Sequence, residues 1–449
     1  MVVKIFTLFQ HQKRALNYLR LNDSFILTME QGTGKTLPSL VRICELLKSG
    51  DIQRGLICCP KSVIGSWERD IALFNPEDQR LLESSLDIIN YDMVWRSARY
   101  KQDYDLILCD EAHNIVNRTS RRAKFLLRAS VKAKYRYLLT GTPIGNGRLE
   151  DSYSLICFLD PYIVGANIYS HIWKPLTGGK GSYYDWTDRY AILDQFYKPY
   201  KYKHVNEVQQ VLKTYSYSVK KIDCLDLPDK LPDEIRLLDL AEPKLYKQLA
   251  KDSAVMELDL LADNPLVKLG YLRQLVSGHL NGDSYKTSKT KALEELLEEI
   301  GSKKLVIFAE YRNSIDSIID TLKNLHITYI TQDGRSDKSN WKLFQSDDSI
   351  QVIVCQYQSA NQGIDLFKAD TILYYEPTLR SNVLEQSRDR IHRQGQKNKC
   401  SYIHFITKGS VEQNIYKALA EYKDFSNNLF SKYMEQYQRS YRGGNKKAT

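Results

Sequence analysis

Short apolar runs alternate with helical patterns of apolar residues in two blocks of this chain. The strand-like runs of the first block lie at residues 25–28, 55–60, 86–90, 105–109 and 135–139. Those of the second block lie at residues 304–308, 350–355, 371–375 and 402–406. Helical patterns occupy residues 63–74, 291–300, 314–325 and 381–393. Strands that alternate with helices favour parallel sheets joined by right-handed crossovers, so we predict two α/β domains.

A glycine-rich turn follows the first strand-like run. It reads Met-Glu-Gln-Gly-Thr-Gly-Lys-Thr over residues 29–36, and a helical pattern begins at its end. Such a turn exposes backbone N–H groups that can cradle phosphates, and the helix N-terminus adds partial positive charge. Lys35 would reach the β- and γ-phosphates of ATP, and Thr36 would hold Mg²⁺. The residues predicted to bind ATP here are Gly32, Thr33, Gly34, Lys35 and Thr36. Because Met29 replaces the usual first glycine, a turn that binds nothing stays the alternative.

Two neighbouring carboxylates end another strand-like run of the first block. Asp110 and Glu111 directly follow residues 105–109. Ligands of open α/β sheets bind at the carboxyl ends of strands, where these two side chains would lie. We predict that Asp110 binds Mg²⁺ and that Glu111 orients and deprotonates a water molecule. The alternative is a solvated acidic pair at a helix start, which such residues favour. The glycine-rich turn upstream favours the catalytic interpretation.

Composition narrows the class of protein. The chain has 449 residues, of which 43% are hydrophobic, enough for two or three domains with substantial cores. Its eight cysteines include no C-x-x-C pair, so neither a zinc site nor a disulfide framework is indicated. No apolar run approaches the length of a membrane span and no signal peptide is evident, which predicts a cytoplasmic protein. The net charge of +10 permits a nucleic-acid partner without establishing one.

The segment between the blocks, residues 165–288, differs in composition. Tyrosines and lysines interleave between residues 183 and 221. Basic and aromatic side chains together can track a phosphate backbone and stack on bases. The alternative is that the tyrosines pack helices together while the lysines are solvated, and we favour it because tyrosine is abundant throughout the chain. Near the C-terminus, a basic stretch without an apolar pattern predicts a frayed tail.

An arginine-rich segment in the second block completes the candidate chemistry. Residues 385–396 read Glu-Gln-Ser-Arg-Asp-Arg-Ile-His-Arg-Gln-Gly-Gln. On a helix, Arg390 and Arg393 are three residues apart and share a face. Two guanidinium groups on one face could clamp the γ-phosphate held by the first block and stabilise transition-state charge. The alternative is a solvated basic helix surface.

The order of these segments resembles that of the superfamily-two helicases and, within them, the Swi/Snf-type DNA-dependent ATPases. The most specific match is the segment 389–396. The resemblance implies two RecA-like, doubly wound parallel-sheet α/β domains with a mainly helical insertion between them, ATP at their interface and DNA across both. The implied divisions are 1–164 for the N-terminal ATP-binding domain, 165–288 for the insertion and bridge, 289–435 for the C-terminal helicase domain and 436–449 for a basic tail.

The resemblance also implies roles for individual residues. Gln12 looks like the glutamine that reads adenine, and Gly363 and Asp365 fall in a motif that binds ATP. Residues 220–228 resemble the bridge between the two lobes. Residues implied to contact DNA, or to couple that contact to hydrolysis, are Lys61, Ser62, Trp67, His113, Thr140, Thr142, Tyr311, Arg312, Ser359 and Gln386.

Two departures qualify these implications. The phosphate loop reads Glu-Gln-Gly-Thr-Gly where the Swi/Snf type usually has Glu-Met-Gly-Leu-Gly, which tilts slightly toward general helicases. The length leaves no room for chromodomain-, bromodomain- or nuclease-like modules. We therefore expect a compact bacterial or phage enzyme rather than a nucleosome remodeller, working as a monomeric motor in the bacterial cytoplasm.

Three functions are compatible with these residues. The first is an ATPase, dependent on ATP and Mg²⁺, that moves along double-stranded DNA. The second is a strand-separating helicase on DNA or RNA. The third is a basic DNA-binding scaffold without catalysis, which the presence of every predicted catalytic residue disfavours. No strand-separating wedge can be recognised in the sequence, so the resemblance alone favours the translocase.

Overall fold

Two compact units make up the chain, Met1–Asp226 and Leu227–Thr449, and each contains its own parallel sheet. The computed structural model describes residues 6–141, 148–164, 167–179, 181–224, 227–252, 254–255, 260–261, 265–280, 283–337, 339–360 and 364–421. Within these residues, no helix is both long enough and apolar enough to cross a membrane.

A six-stranded parallel sheet forms the centre of the first unit. The strands of this unit are β1 (Ser24–Met29), β2 (Gly55–Cys59), β3 (Leu86–Asn90), β4 (Leu106–Asp110), β5 (Tyr135–Thr140), β6 (Pro161–Val164), β7 (Asn167–Ser170), β8 (Ala191–Leu193), β9 (Pro199–Tyr202) and β10 (Ser216–Val219). The order in the sheet is β10-β1-β5-β4-β2-β3, and every neighbouring pair is parallel. β6–β7 and β8–β9 form two antiparallel hairpins. The five strands predicted in this block are confirmed.

Ten helices alternate with the strands among the described residues of the first unit. They are α1 (Gln10–Leu21), α2 (Thr36–Lys48), α3 (Ile64–Ile71), α4 (Pro76–Ser85), α5 (Arg121–Ala129), α6 (Asp151–Leu159), α7 (Trp173–Leu176), α8 (Tyr183–Tyr190), α9 (Val205–Thr214) and α10 (Lys221–Cys224). Short 3₁₀ turns lie at Lys61–Val63, Ala98–Tyr100 and Ala112–Ile115.

Local sequence determines where some of these helices begin. The Asn75 side chain caps α4 by accepting from two backbone N–H groups, and Pro76 occupies the first helical position.

Alternate residues of β1 enter separate hydrophobic cores on the two faces of the first sheet. Ile26 packs into one core, whereas Phe25, Leu27 and Met29 pack into the other. A strand buried on both faces appears in the sequence as a continuous apolar run, which explains why these strands were recognised. Burial on both faces also fixes the register, so the residues that follow β1 and β4 emerge at defined points of one sheet edge.

The second unit repeats this architecture. Its strands are β11 (Glu234–Leu238), β12 (Ala254–Val255), β13 (Leu260–Leu261), β14 (His279–Leu280), β15 (Asp283–Ser284), β16 (Leu305–Ala309), β17 (Tyr329–Gln332), β18 (Val352–Gln356), β19 (Thr371–Tyr374) and β20 (Ser401–Thr407). Its helices are α11 (Pro243–Asp252), α12 (Pro265–Val276), α13 (Ser288–Ile300), α14 (Arg312–Asn324), α15 (Asn340–Ser346), α16 (Tyr357–Ala360), α17 (Ser381–Arg388) and α18 (Val411–Ala420). The parallel sheet has the order β11-β20-β19-β16-β18-β17. The predicted fold class, two doubly wound parallel-sheet units, is confirmed.

The segment 165–288 contributes strands to both sheets, which the sequence did not predict. β10 pairs with β1 at an edge of the first sheet, and β11 pairs with β20 at an edge of the second. Both strands are only partly buried, so neither forms the continuous apolar run that marks a central strand. The boundary between the compact units falls inside this segment, at Asp226 and Leu227.

A buried ion pair joins two helices of the second unit. The Lys289 ammonium group on α13 donates to Glu412 Oε1 on α18 at 2.6 Å, and both side chains are at most 1% exposed. The other oxygen, Glu412 Oε2, accepts the backbone N–H of Thr407 at 2.9 Å. Each buried charge therefore has its partner, and the loss of either would leave the other uncompensated.

We expect Glu412→Gln to destabilise the second unit by about 3–5 kcal/mol, because the Lys289 charge would remain buried without a counter-charge. The matched control is Glu295→Gln, which removes an exposed partner of Lys291 at 3.7 Å and should cost less than about 0.5 kcal/mol. Urea denaturation of the full chain measures both changes. Equal shifts in the two variants would contradict the prediction.

Candidate nucleotide-binding site

The glycine-rich turn lies between β1 and α2, as predicted, and its lysine is folded inward. Gly32 and Gly34 have φ angles of 81° and 75°, in the left-handed region that favours glycine. The Lys35 ammonium group donates to the Met29 carbonyl at 2.9 Å, and Lys35 is only 8% exposed. The structure therefore holds the predicted phosphate-binding amine inside the turn, directly before α2 begins at Thr36.

Helix α1 holds the same turn from outside. Gln12 Nε2 donates to the Gly34 carbonyl at 2.9 Å, and its Oε1 accepts the Phe9 backbone N–H at 2.9 Å. His11 Nε2 lies 2.8 Å from the Thr33 carbonyl oxygen. Gln12, which resemblance assigned to adenine, is thus placed beside the phosphate loop. The role of His11 in holding the loop was missed, because sequence spacing gives no signal for a contact across 22 residues.

Asp110 ends β4 with its carboxylate buried and bonded at both oxygens. The Trp67 indole Nε1 donates to Asp110 Oδ2 at 3.0 Å, and the Glu111 backbone N–H donates to Oδ1 at 2.9 Å. Burial, together with the neighbouring Glu111 charge, raises the pKa of Asp110 to about 6, although the Lys35 ammonium group opposes this shift. Because β1 and β4 both run parallel to β5, their carboxyl ends, which carry the glycine-rich turn and the acidic residues, lie at one edge of the sheet.

Glu111 is turned toward the phosphate loop by an unusual backbone conformation. Its φ of 51° and ψ of 57° lie in the left-handed region, which costs a non-glycine residue about 1–2 kcal/mol. Its carboxylate accepts from Gln31 Nε2 at 3.2 Å, and His113 Nδ1 lies 3.4 Å from the other oxygen. Strain of this kind is typical of functional sites. The predicted catalytic base is therefore aimed at the loop that would hold the phosphates.

The residues predicted to hold Mg²⁺ form a donor set of suitable chemistry. Thr36 offers a hydroxyl and Asp110 a carboxylate, and oxygen ligands of this kind suit a hard cation. Asp70 of α3, a residue that the sequence analysis missed, lies close enough to the Thr36 side chain to be influenced by it. Burial raises the pKa of Asp70 to about 6, and the Arg69 charge and the Thr36 side chain oppose that shift. On α3, Trp67 thus bonds one predicted cation ligand, Asp110, and Asp70, three residues further on, lies near the other, Thr36.

The predicted arginines of the second unit are not on a helix, which corrects the sequence analysis. Helix α17 ends at Arg388, and Arg390 and Arg393 lie in the turns that follow. The reason is a non-local hydrogen bond, since the Arg390 carbonyl accepts the Leu366 N–H at 2.9 Å. The Arg393 guanidinium bonds Asp365, the residue predicted to bind ATP. The structure brings these two residues together within the unit, whereas Gly363 lies outside the described residues.

Comparison with known protein families identifies the chain. Residues 11–276 match the SNF2-related domain, and residues 288–395 match the helicase conserved C-terminal domain. The first match alone covers more than half of the 449 residues. The chain belongs to the SNF2-related family. The resemblance that the motifs carried is therefore confirmed.

Curated proteins and solved structures are similar to this SNF2-related chain. An uncharacterized ATP-dependent helicase of Mycoplasma pneumoniae is 25% identical, over 93% of this chain and 42% of the relative. The ATP-dependent helicase fft1 of Schizosaccharomyces pombe is 24% identical, over 91% of this chain and 51% of the relative. The SWI2/SNF2 ATPase core of Sulfolobus solfataricus, solved with double-stranded DNA, is 23% identical with a TM-score of 0.43, covering 95% of this chain and 92% of that one. The chain spans about half or less of these curated relatives' length.

The residues of the first unit that were implied to contact DNA, or to couple that contact to hydrolysis, differ in exposure. The Trp67 side chain is fully buried and bonded to Asp110, and a coupling role rather than a direct contact with DNA is the one that its position suits. Lys61 is exposed and Ser62 is partly exposed, as a DNA contact requires. Thr140 is buried at the end of β5, and a coupling role is the one that its position suits. Thr142 lies outside the described residues.

The implied DNA residues of the second unit occupy several environments. Arg312 is exposed and Gln386 is partly exposed. The Tyr311 ring packs between Arg273, whose guanidinium lies 5.3 Å from the ring centre, and His279, whose ring centre is 5.0 Å away. Ser359 lies on α16. Their roles in DNA contact stay predictions.

We expect Gly34→Ala to weaken nucleotide binding roughly tenfold, about the loss of one good hydrogen bond. An added Cβ would lie 2.3 Å from Gln12 Nε2 and would displace it from the loop. Gly50→Ala is the matched control, because Gly50 has a φ of 74° but open space around its Cβ position. Titration with a fluorescent ATP analogue measures the difference. If Gly50→Ala weakened binding equally, backbone strain rather than the contact with Gln12 would be responsible.

We expect Trp67→Phe to lower ATP turnover about tenfold or more, because the Asp110 carboxylate loses a charge-assisted hydrogen bond. Trp173→Phe is the control of equal size, since Trp173 is also fully buried and its Nε1 has no hydrogen-bond partner among the described residues. Steady-state hydrolysis at saturating ATP and Mg²⁺ gives the comparison. Equal turnover in the two variants would show that the indole N–H does not position Asp110.

Proposed function

We propose that the chain is an ATP-hydrolysing translocase of the SNF2 type that moves along double-stranded DNA. The observation that carries the proposal is the convergence of Lys35, Thr36, Asp110 and Glu111 at one edge of the first sheet. Membership of the SNF2-related family supports the same conclusion. The strand-separating helicase is the alternative, because it would use the same ATP-binding residues.

Each group of the first unit has a distinct task in the proposed hydrolysis. The Lys35 ammonium group would leave the Met29 carbonyl and bind the phosphates as a point charge. Thr36 and Asp110 would hold Mg²⁺, which supplies electrostatic stabilisation of the phosphate oxygens when bound. Glu111, aimed at the loop by its backbone and by Gln31, would orient and deprotonate the attacking water.

The arginines of the second unit would complete the reaction. A guanidinium group placed on the transferred phosphate stabilises the charge of the transition state. The Arg393 side chain is 26% exposed and forms an ion pair with Asp365. On ATP binding, the guanidinium group would leave Asp365 and bind the phosphate instead. Hydrolysis would then depend on both units, which is what a motor needs to couple chemistry to movement.

DNA binding is proposed to be mainly electrostatic. The net charge of +10 and the exposed Lys61 and Arg312 suit contacts to phosphates. A motor must tolerate every sequence that it crosses, and phosphate contacts carry no direct sequence information. A monomeric state and a location in the bacterial cytoplasm are part of the proposal and rest on the sequence alone.

We expect blunt duplex DNA to stimulate ATP hydrolysis more than single-stranded DNA or RNA does, with affinity falling steeply with salt. The measurement compares steady-state rates with the three nucleic acids side by side. Lys35→Ala should abolish turnover without unfolding the chain, whereas Lys134→Ala, which removes an exposed ion pair to Asp51, should not change it. Turnover by a folded Lys35→Ala protein would overturn the nucleotide site.

Movement without unwinding distinguishes the translocase from the helicase. Triplex displacement reports movement along an intact duplex, and a forked duplex reports strand separation. Third-strand displacement with the fork left closed is the expected outcome. Efficient fork opening with no triplex displacement would establish the helicase alternative instead.

A further inference from the structure

The β8–β9 hairpin, residues 191–202 and here called the aromatic hairpin, presents three large rings to solvent. Phe196, Tyr197 and Tyr200 are 69%, 86% and 66% exposed, although they lie within five residues of one another. Single exposed apolar side chains are ordinary, but a contiguous exposed patch marks an interaction site. The aromatic hairpin is therefore a candidate interaction site.

The turn of the aromatic hairpin holds one of these rings at a strained position. Tyr197 has a φ of 60°, a conformation that glycine or asparagine would adopt more easily. Asp194 builds the turn, since its Oδ1 accepts the N–H groups of Phe196 at 2.8 Å and Lys198 at 2.9 Å. Its carbonyl also accepts the Tyr197 N–H at 3.0 Å. The turn is thus well specified, and its acidic group is used inside it.

A second irregularity directs another ring outward. Ile192 pairs with Lys201 and Leu193 pairs with Pro199, so Tyr200 is an extra residue at a break in the register. A β-bulge of this kind bends the strand and re-aims a side chain. Both irregular positions of the aromatic hairpin therefore carry an exposed tyrosine. Strain and bulges that coincide with exposed rings are typical of a binding site.

Lysines lie between the rings. Lys198 and Lys201 are exposed, and neither forms an ion pair with an acidic residue in the described part of the chain. The base of the aromatic hairpin is anchored, because the Lys203 N–H donates to the Tyr190 carbonyl at 2.8 Å and the Tyr202 hydroxyl bonds Glu150. A fixed base thus carries a tip of rings and unpaired positive charges.

We propose that the aromatic hairpin binds unpaired bases of DNA. Its rings would stack on the bases, while Lys198 and Lys201 would contact the intervening phosphates. A blunt duplex hides its base faces except at the ends, so the hairpin would select DNA with single-stranded arms. This inference rests on the proposed function, in which DNA is the track, and it adds a preference for junctions that phosphate contacts cannot supply.

The first test is the double variant Phe196→Ser/Tyr197→Gly in the full chain. Fluorescence anisotropy would compare labelled oligo(dT), a blunt duplex and a fork with oligo(dT) arms. We expect affinity for oligo(dT) and the fork to fall about tenfold or more, with no change for the blunt duplex. Glycine relieves the strain at position 197, so the thermal midpoint should not fall. Tyr184→Ser is the control, since Tyr184 is 73% exposed on α8 outside the aromatic hairpin.

The second test removes the charges with Lys198→Gln/Lys201→Gln. Two phosphate contacts to a single strand should lower the slope of log affinity against log salt by about 1.4. Unchanged oligo(dT) binding in the ring variant, or an equal loss for blunt duplex, would overturn the inference. The hairpin would then face another partner, such as a protein. Failure of blunt duplex to stimulate hydrolysis by the native chain would instead overturn the proposed function, so the two failures are distinguishable.

Discussion

The buried carboxylate of Asp110 constrains the arrangement around the first unit's sheet edge. Asp110 is only 5% exposed. Burying a carboxylate costs folding free energy unless hydrogen-bond donors replace the water that it loses. One donor to Asp110 is the backbone N–H of the next residue, Glu111. The other is the indole N–H of Trp67, which lies on α3. Once Trp67 faces β4, Asp70 on the same side of α3 falls beside Thr36. The helix that supplies the indole donor to Asp110 therefore also carries a carboxylate near the hydroxyl that would bind the cation.

Central strands and the phosphate loop could be predicted from the sequence because both are local patterns. A strand buried on two faces is a continuous apolar run, and the loop's glycines are required by its own φ angles. The features that the sequence did not predict depend on contacts between residues far apart in the chain. The helix predicted to include Arg393 ends early because the Arg390 carbonyl bonds Leu366. The hydrogen bond between Trp67 and Asp110 joins residues that are 43 positions apart, so no local spacing could have predicted it.

The contacts of α1 orient the phosphate loop for an anion. His11 and Gln12 bond the carbonyl oxygens of Thr33 and Gly34, at 2.8 Å and 2.9 Å. In a trans peptide the N–H points opposite to the carbonyl, so the N–H groups that follow these carbonyls point away from α1. A phosphate needs donors and is repelled by carbonyl oxygens. Because α1 bonds the carbonyl oxygens of the loop, the N–H groups on the other side of these peptides are left to bind the ligand.

The bridge segment, residues 220–228, is tied at each end to a nucleotide motif of its own unit. In the first unit, the Lys221 N–H donates to Glu30 Oε2 at 2.8 Å, and Glu30 lies in the glycine-rich turn that holds Lys35. In the second unit, His392 Nε2 lies 2.9 Å from the Pro228 carbonyl, between the two predicted arginines in sequence. A shift of the phosphate loop on binding would strain the first bond, and a shift of the arginine segment would strain the second. The described ends of the segment that joins the units therefore each contact a predicted nucleotide motif of their own unit.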